Sequence, residues 1–145
     1  MAKTIMITGA GTGFGKGAAF ALARRGHRVL AATYDQAQAD ALTAEATGAG
    51  VALTALPLDI TKPTDRQKVT GSGIDVLINN AAVGESGALA EVPLDRIRRT
   101  LETNVIPIPF LAPYGMTKFA LEVAGADLAV ELKPFYVQIL RGLGG

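Results

Sequence analysis

The sequence predicts a doubly wound α/β domain, a parallel sheet with helices on both faces in three layers. Two observations carry that prediction. Short apolar, β-branched runs alternate with longer segments of helical spacing, the pattern of βαβ units with right-handed crossovers. The first run, Lys3 to Thr8, also ends in a glycine cluster, Gly9-Ala10-Gly11-Thr12-Gly13-Phe14-Gly15, and an Ala-rich helical pattern begins at once. Glycines let a backbone turn tightly and approach a phosphate. A helix start offers free N–H groups and the positive end of its dipole. The glycine spacing departs from G-x-G-x-x-G, and a glycine turn alone also reads as a tight strand–helix connection.

The elements follow in order. A helix is expected from about Gly15 to Arg25, with Ala18, Ala19, Leu22 and Ala23 on one side and Gly26 as its stop. Arg28–Thr33 reads as a buried, and so parallel, second strand. Gln36–Thr47 is a run of good helix formers ended by Gly48-Ala49-Gly50. Val51–Leu58 is expected as a third strand, Pro63–Lys68 as a short helix and Ile74–Asn79 as a fourth strand. Residues 81 to 91 read as loop. Leu94–Val105 carries Leu94, Ile97, Leu101 and Val105 at helical spacing. Three prolines between Ile106 and Pro113 forbid a helix there. Tyr114–Leu132 is expected as a helix opened by Pro113, and Phe135–Leu140 as a last strand.

At 145 residues the chain suits one domain, residues 1–145, with a core of its own. A net charge of +1 makes no electrostatic case for nucleic acid or an anionic membrane, and no segment has the apolar length of a membrane span. The absence of cysteine excludes disulfides and thiolate metal sites, and a single histidine argues against a metal centre. His27, in a Gly-His-Arg turn, reads as solvated. With Met1-Ala2-Lys3 running straight into a strand, no signal peptide is expected and the location is expected to be cytoplasmic.

In a doubly wound sheet the ligand crevice lies at the carboxyl ends of the strands. Four features gather there: the glycine turn, Thr33-Tyr34, Asp59-Ile60 and Asn79-Asn80-Ala81-Ala82. That convergence favours a nucleotide over a bare strand–helix turn. Farther along, Tyr114 and Lys118 stand four residues apart at a helix start and so share a face. A phenol ordinarily titrates near 10, too high for acid/base work at neutral pH, and an adjacent ammonium lowers that value. The spacing suits a tyrosine exchanging a proton with a carbonyl or alcohol oxygen.

TGAGTGFG at Thr8–Gly15, Asp59, NNAA at Asn79–Ala82, Asn104 within TLETNV and YGMTK at Tyr114–Lys118 occur in this order. Together they resemble the short-chain dehydrogenase/reductase family, over nearly the whole chain from Lys3 to Leu140. The resemblance implies a Rossmann-type fold and NAD or NADP as cofactor. It also implies hydride transfer to or from a small carbonyl or alcohol substrate. It assigns the pyrophosphate to Gly9, Gly13 and Gly15, with Gly11, Thr12 and Phe14 in the same turn. Thr33 and Tyr34 then face the ribose, Asp59 and Ile60 the adenine, and Asn80, Ala81 and Ala82 the central strand end beside the cofactor. Tyr114 becomes the acid/base and Lys118 its tuning residue and a ribose ligand. Asn104 orders a water of the proton relay. A homo-oligomer is a further implication.

Two departures from that family stand out. Nine residues separate Asn104 from Tyr114, and none is the serine that the family places there to hold the substrate oxygen. The jump falls at about Val105–Ile106 and corresponds to on the order of 30 residues or more. The chain also stops where the family continues into its substrate-covering region. A longer enzyme of which these residues are only the ordered part, a deletion product and a minimal domain all fit. A binding or interaction domain without catalysis is therefore the rival reading. NAD and NADP are not separated either, because Thr33-Tyr34, followed by Asp35, is neither the acidic nor the basic pattern.

Overall fold

The computed structural model describes residues 1–69, 71–87 and 91–105. The helix expected over Tyr114–Leu132, the strand expected over Phe135–Leu140 and the junction at Ile106 lie outside the described residues, as do Tyr114 and Lys118. The chain divides into two compact units, Met1–Ala82 and Val83–Gly145.

The first unit contains a four-stranded parallel sheet. Its elements are β1 (Thr4–Ile7), α1 (Gly13–Arg24), β2 (Arg28–Thr33), α2 (Gln36–Gly48), β3 (Thr54–Pro57), α3 (Pro63–Lys68) and β4 (Val76–Ile78). The sheet order is β3-β2-β1-β4. Ile5 stands opposite Val29 on one side and Val76 on the other, and Leu30 stands opposite Thr54. The chain thus winds outward from β1 through β2 to β3, then crosses back to place β4 on β1's other edge. That reversal opens a crevice beyond the carboxyl ends of β1 and β4.

Both faces of the central strands are buried, as the unbroken apolar runs of β1 and β2 require. Ile5, Ile7, Val29 and Ala31 share one face and form a cluster with Ala19 and Phe20 of α1 and Leu42 and Ala46 of α2. Met6, Leu30 and Ala32 alternate with them and are equally buried. The Ala and Gly content of α1 lets its backbone lie close on the sheet. A Cβ added at Gly15 would come within 2.5 Å of the Gly9 carbonyl oxygen.

Most expected elements are present, with three differences in the first unit. Val51–Leu58 shrinks to Thr54–Pro57, because the Val51 N–H donates back to Ala46 O at 2.9 Å and finishes α2 instead of entering the sheet. Ile74–Asn79 shrinks to Val76–Ile78, with Asp75 just before it still bonded to the start of β1, donating its N–H to Thr4 O and accepting the Thr4 N–H on its carboxylate. His27 is not simply solvated: its Nδ1 accepts the Lys3 backbone N–H at 3.1 Å. The second unit contains α4 (Leu94–Asn104), with a strongly apolar stripe of Leu94, Ile97 and Leu101. Among the described residues, no helix is long and apolar enough to cross a membrane, and no group of His, Cys, Asp or Glu could hold a metal ion.

Candidate functional site

The glycine turn leaves β1 at Thr8, and its shape follows from three close approaches. Gly9 has φ +65°, and a Cβ there would sit 2.6 Å from the Ala81 Cα, so both conformation and space require glycine. Gly15 is enclosed by the Asn80 carboxamide and the Gly9 carbonyl. Gly13 also has a positive φ, +55°, but a Cβ there would meet nothing within 4 Å. The turn is therefore packed against protein at Gly9 and Gly15 and open at Gly13.

Hydrogen bonds from the end of β4 fix the turn in place. Asn80 donates through Nδ2 to Thr8 O at 3.0 Å and Gly9 O at 3.1 Å. The buried Thr8 hydroxyl accepts from the backbone N–H groups of Asn80 at 3.0 Å and Ala81 at 3.1 Å. The Ala10 N–H donates to Ala32 O at 2.8 Å, tying the turn to β2 as well. These bonds span the switch-point crevice. The motif at Asn79–Ala82 thus proves to be the wall and clamp of the glycine turn.

Past the turn, α1 begins without a cap. Thr12 occupies the cap position in extended conformation, but its side chain makes no capping bond, and no acid lies in the first turn. The first backbone bond into the helix is Lys16 N–H to Thr12 O at 3.2 Å. The N–H groups of Gly13, Phe14 and Gly15 have no acceptor among the described residues. Phe14 is 93% exposed and Thr12 and Gly13 are exposed too, so this helix start faces open space. Free donors, a positive dipole end and absence of Cβ bulk at Gly13 fit a pyrophosphate.

The other strand ends are more varied. Thr33 is fully buried, and its hydroxyl donates to Asp35 O at 2.9 Å and, more weakly, to Leu56 O at 3.3 Å. It therefore shapes the β2 exit. Tyr34 is 63% exposed. Asp59, after β3, is buried, and its Oδ1 accepts from the Thr61 N–H at 3.0 Å and hydroxyl at 2.7 Å. Burial pushes the Asp59 carboxyl up, but the Thr61 hydroxyl and N–H bonds and the Lys62 charge together outweigh it. The carboxyl is held below its ordinary value of 3.8 and stays ionised. Asp59 has a full structural job, closing the turn into α3, and its neighbour Ile60 accepts from Arg66 through its carbonyl.

In the second unit, Asn104 ends α4 and uses both halves of its carboxamide on one residue. Nδ2 donates to Val83 O at 2.9 Å, and Oδ1 accepts the Val83 N–H at 2.8 Å. It acts as a two-point clamp on the segment that follows the Asn79–Ala82 motif.

Sequence reading missed Thr8 as a receptor for two backbone donors, and it missed Gln38. Thr8 stands in the TGAGTGFG motif, so its position was the available signal. For Gln38 there was none beyond a place in the first turn of α2.

A parallel sheet with a glycine turn at its switch point is the arrangement found in nucleotide-binding α/β proteins. Residues 3–108 match the family model described as short chain dehydrogenase, and the chain belongs to that family. It is similar to an uncharacterised oxidoreductase of Myxococcus xanthus, 38% identical over 71% of this chain and 43% of that protein. The uncharacterised oxidoreductase YusZ of Bacillus subtilis is 29% identical over 94% of this chain and 62% of its own length. Among solved structures, the short-chain dehydrogenase from Sphingobium yanoikuyae in complex with NADPH superposes with a TM-score of 0.62 at 32% identity. That match covers 90% of this chain and 48% of the other. The chain spans about half the length of the proteins it matches.

Proposed function

We propose that this chain binds NAD or NADP at the Gly9–Gly15 turn and serves hydride transfer between the nicotinamide and a small carbonyl or alcohol substrate. The observation that carries the reading is the uncapped start of α1 at the switch point, in a member of the short-chain dehydrogenase family. The N–H groups of Gly13, Phe14 and Gly15 would hold the pyrophosphate, with Gly11 and Thr12 completing the turn. Tyr34 would face the ribose, Asp59 and Ile60 would lie toward the adenine, and Asn80, Ala81 and Ala82 would hold the turn beside the cofactor.

The nicotinamide, when bound, supplies or accepts the hydride. In the reducing direction Tyr114 gives its phenolic proton to the carbonyl oxygen as the hydride reaches the carbon, and is left as a phenolate. Lys118, four residues on, favours that phenolate electrostatically. Asn104 supports the water that returns the proton. A small-molecule substrate, a cytoplasmic setting and a homo-oligomer complete the reading.

A second reading, dinucleotide binding without turnover, is favoured by one observation. The alignment with the Bacillus subtilis oxidoreductase runs to 179 positions, yet 94% of 145 residues is about 136. Roughly 43 positions of that alignment therefore face no residue of this chain. That number of positions is enough to account for a strand and the serine expected between Asn104 and Tyr114.

Titration of the protein with NADH and NADPH, followed by assay on a panel of ketones and alcohols, tests both readings. Binding with turnover that Tyr114→Phe abolishes supports the enzyme. Binding with no turnover on any substrate supports the second reading. Failure to bind either dinucleotide overturns both.

A further inference from the structure

Between the glycine turn and the exit of β2 stands one side chain that touches both. Gln38 lies in the first turn of α2 and is half-buried. Its backbone N–H donates to Asp35 Oδ1 at 2.8 Å, which fixes the start of its helix. Its Oε1 accepts the Tyr34 backbone N–H at 3.4 Å. The same Oε1 rests against Gly11, where a Cβ would collide with it and lie 3.2 Å from the Gln38 Cδ. Gly11 has no positive φ, and its close contact is with the end of the Gln38 side chain.

One carboxamide thus bridges the two turns that flank the adenosine half of a bound dinucleotide. The pyrophosphate lies on the first βα turn, and the adenosine ribose lies at the end of the second strand. With Oε1 seated against Tyr34 and Gly11, the planar amide must present Nε2 on its other branch. That nitrogen carries two N–H donors, and neither has an acceptor among the described residues.

Resting on the dinucleotide reading, we propose that Gln38 is an adenosine-ribose ligand. Its oxygen is anchored on the protein and its Nε2 donates to a ribose hydroxyl oxygen. The Gly11 contact and the Tyr34 bond orient it before the cofactor arrives, so little side-chain freedom is lost on binding.

The test uses the full chain with Gln38→Met, which keeps the length of the side chain and its packing on Gly11 but has no amide. NADH affinity should fall about tenfold while the unliganded melting temperature stays within two degrees. Displacement of NADH by ADP and by 2′,3′-dideoxy-ADP then isolates the contact. Gln38→Met should weaken ADP by the same factor and leave dideoxy-ADP unchanged, because only ADP offers the ribose hydroxyls. Equal losses for both nucleotides would mean a purely structural role, and no loss for either would mean no role. Both results overturn the inference while leaving the dinucleotide reading intact. If the unaltered chain binds neither NADH nor NADPH, the reading fails and the inference falls with it.

Discussion

The starts of α1 and α2 belong to successive βα units in one sheet, yet they are built in opposite ways. At α2, Asp35 caps the helix with its carboxylate on the Gln38 N–H at 2.8 Å, next to a buried threonine whose hydroxyl braces the Asp35 carbonyl. At α1, the cap position is Thr12 with no capping bond, preceded by glycines and followed by an exposed phenylalanine. The capped start answers the Gln38 N–H within the chain. An uncapped start facing open space keeps its orphan N–H groups for an anion. On the proposed reading, the difference separates a terminus built for stability from one built for binding.

The contrast can be broken hardest at Gly9. Gly9→Ala forces a side chain into a left-handed backbone and against the Ala81 Cα, and should cost on the order of 3 kcal/mol by chemical denaturation, with NADH binding lost. Thr8→Val comes next, because it removes the acceptor of the Asn80 and Ala81 N–H groups and should cost about 2 kcal/mol. At the two helix starts the same substitution should have unequal consequences. Asp35→Ala should lose about 1 kcal/mol of stability, whereas Thr12→Ala should stay within about 0.5 kcal/mol of the parent. Thr12→Asp should raise the melting temperature of the free protein, as a new cap on an open start, and weaken NADH at least tenfold by repelling the pyrophosphate. A Thr12→Asp chain that binds NADH as tightly as its parent would remove α1 from the site.

The smallest effect belongs to Asp59. Its folded carboxyl is depressed below 3.8, so its contribution to stability is complete above that value and is lost as the pH falls through the folded value. The stability difference between the parent and Asp59→Asn, followed by denaturation from pH 6 down to pH 3, should narrow only at the acid end. A difference that widens on acidification would reverse the sign argued here.

The sequence carried local features to the structure faithfully. Arg28–Thr33 forms a strand with the expected bounds, because Gly26 and the Asp35 cap punctuate it on either side. Pro63–Lys68 likewise begins at its proline. What composition and spacing could not convey is pairing between distant turns. Asn80 reads as part of the strand-end motif beside the cofactor, but its bonds to Thr8 and Gly9 are visible only in the structure, and Gln38 reads as an ordinary helix former until Gly11 is found against it. Strand ends were overread where apolar residues, Val51 among them, finish a helix and still become buried. The acid/base pair Tyr114 and Lys118 lies outside the described residues and remains part of the proposal.

The clamp on the glycine turn also bears on the order of folding. Thr8 and Gly9 are held by Asn80 across 72 and 71 positions of sequence, so the turn is among the least local parts of the sheet. Long-range closures form late because loop entropy must be overcome first. During synthesis the glycines emerge before β4, yet the surface they form waits for β4 to dock. On the proposed reading, cofactor affinity is thereby tied to completion of the sheet: a nascent chain ending before Asn80 has the motif but not its clamp.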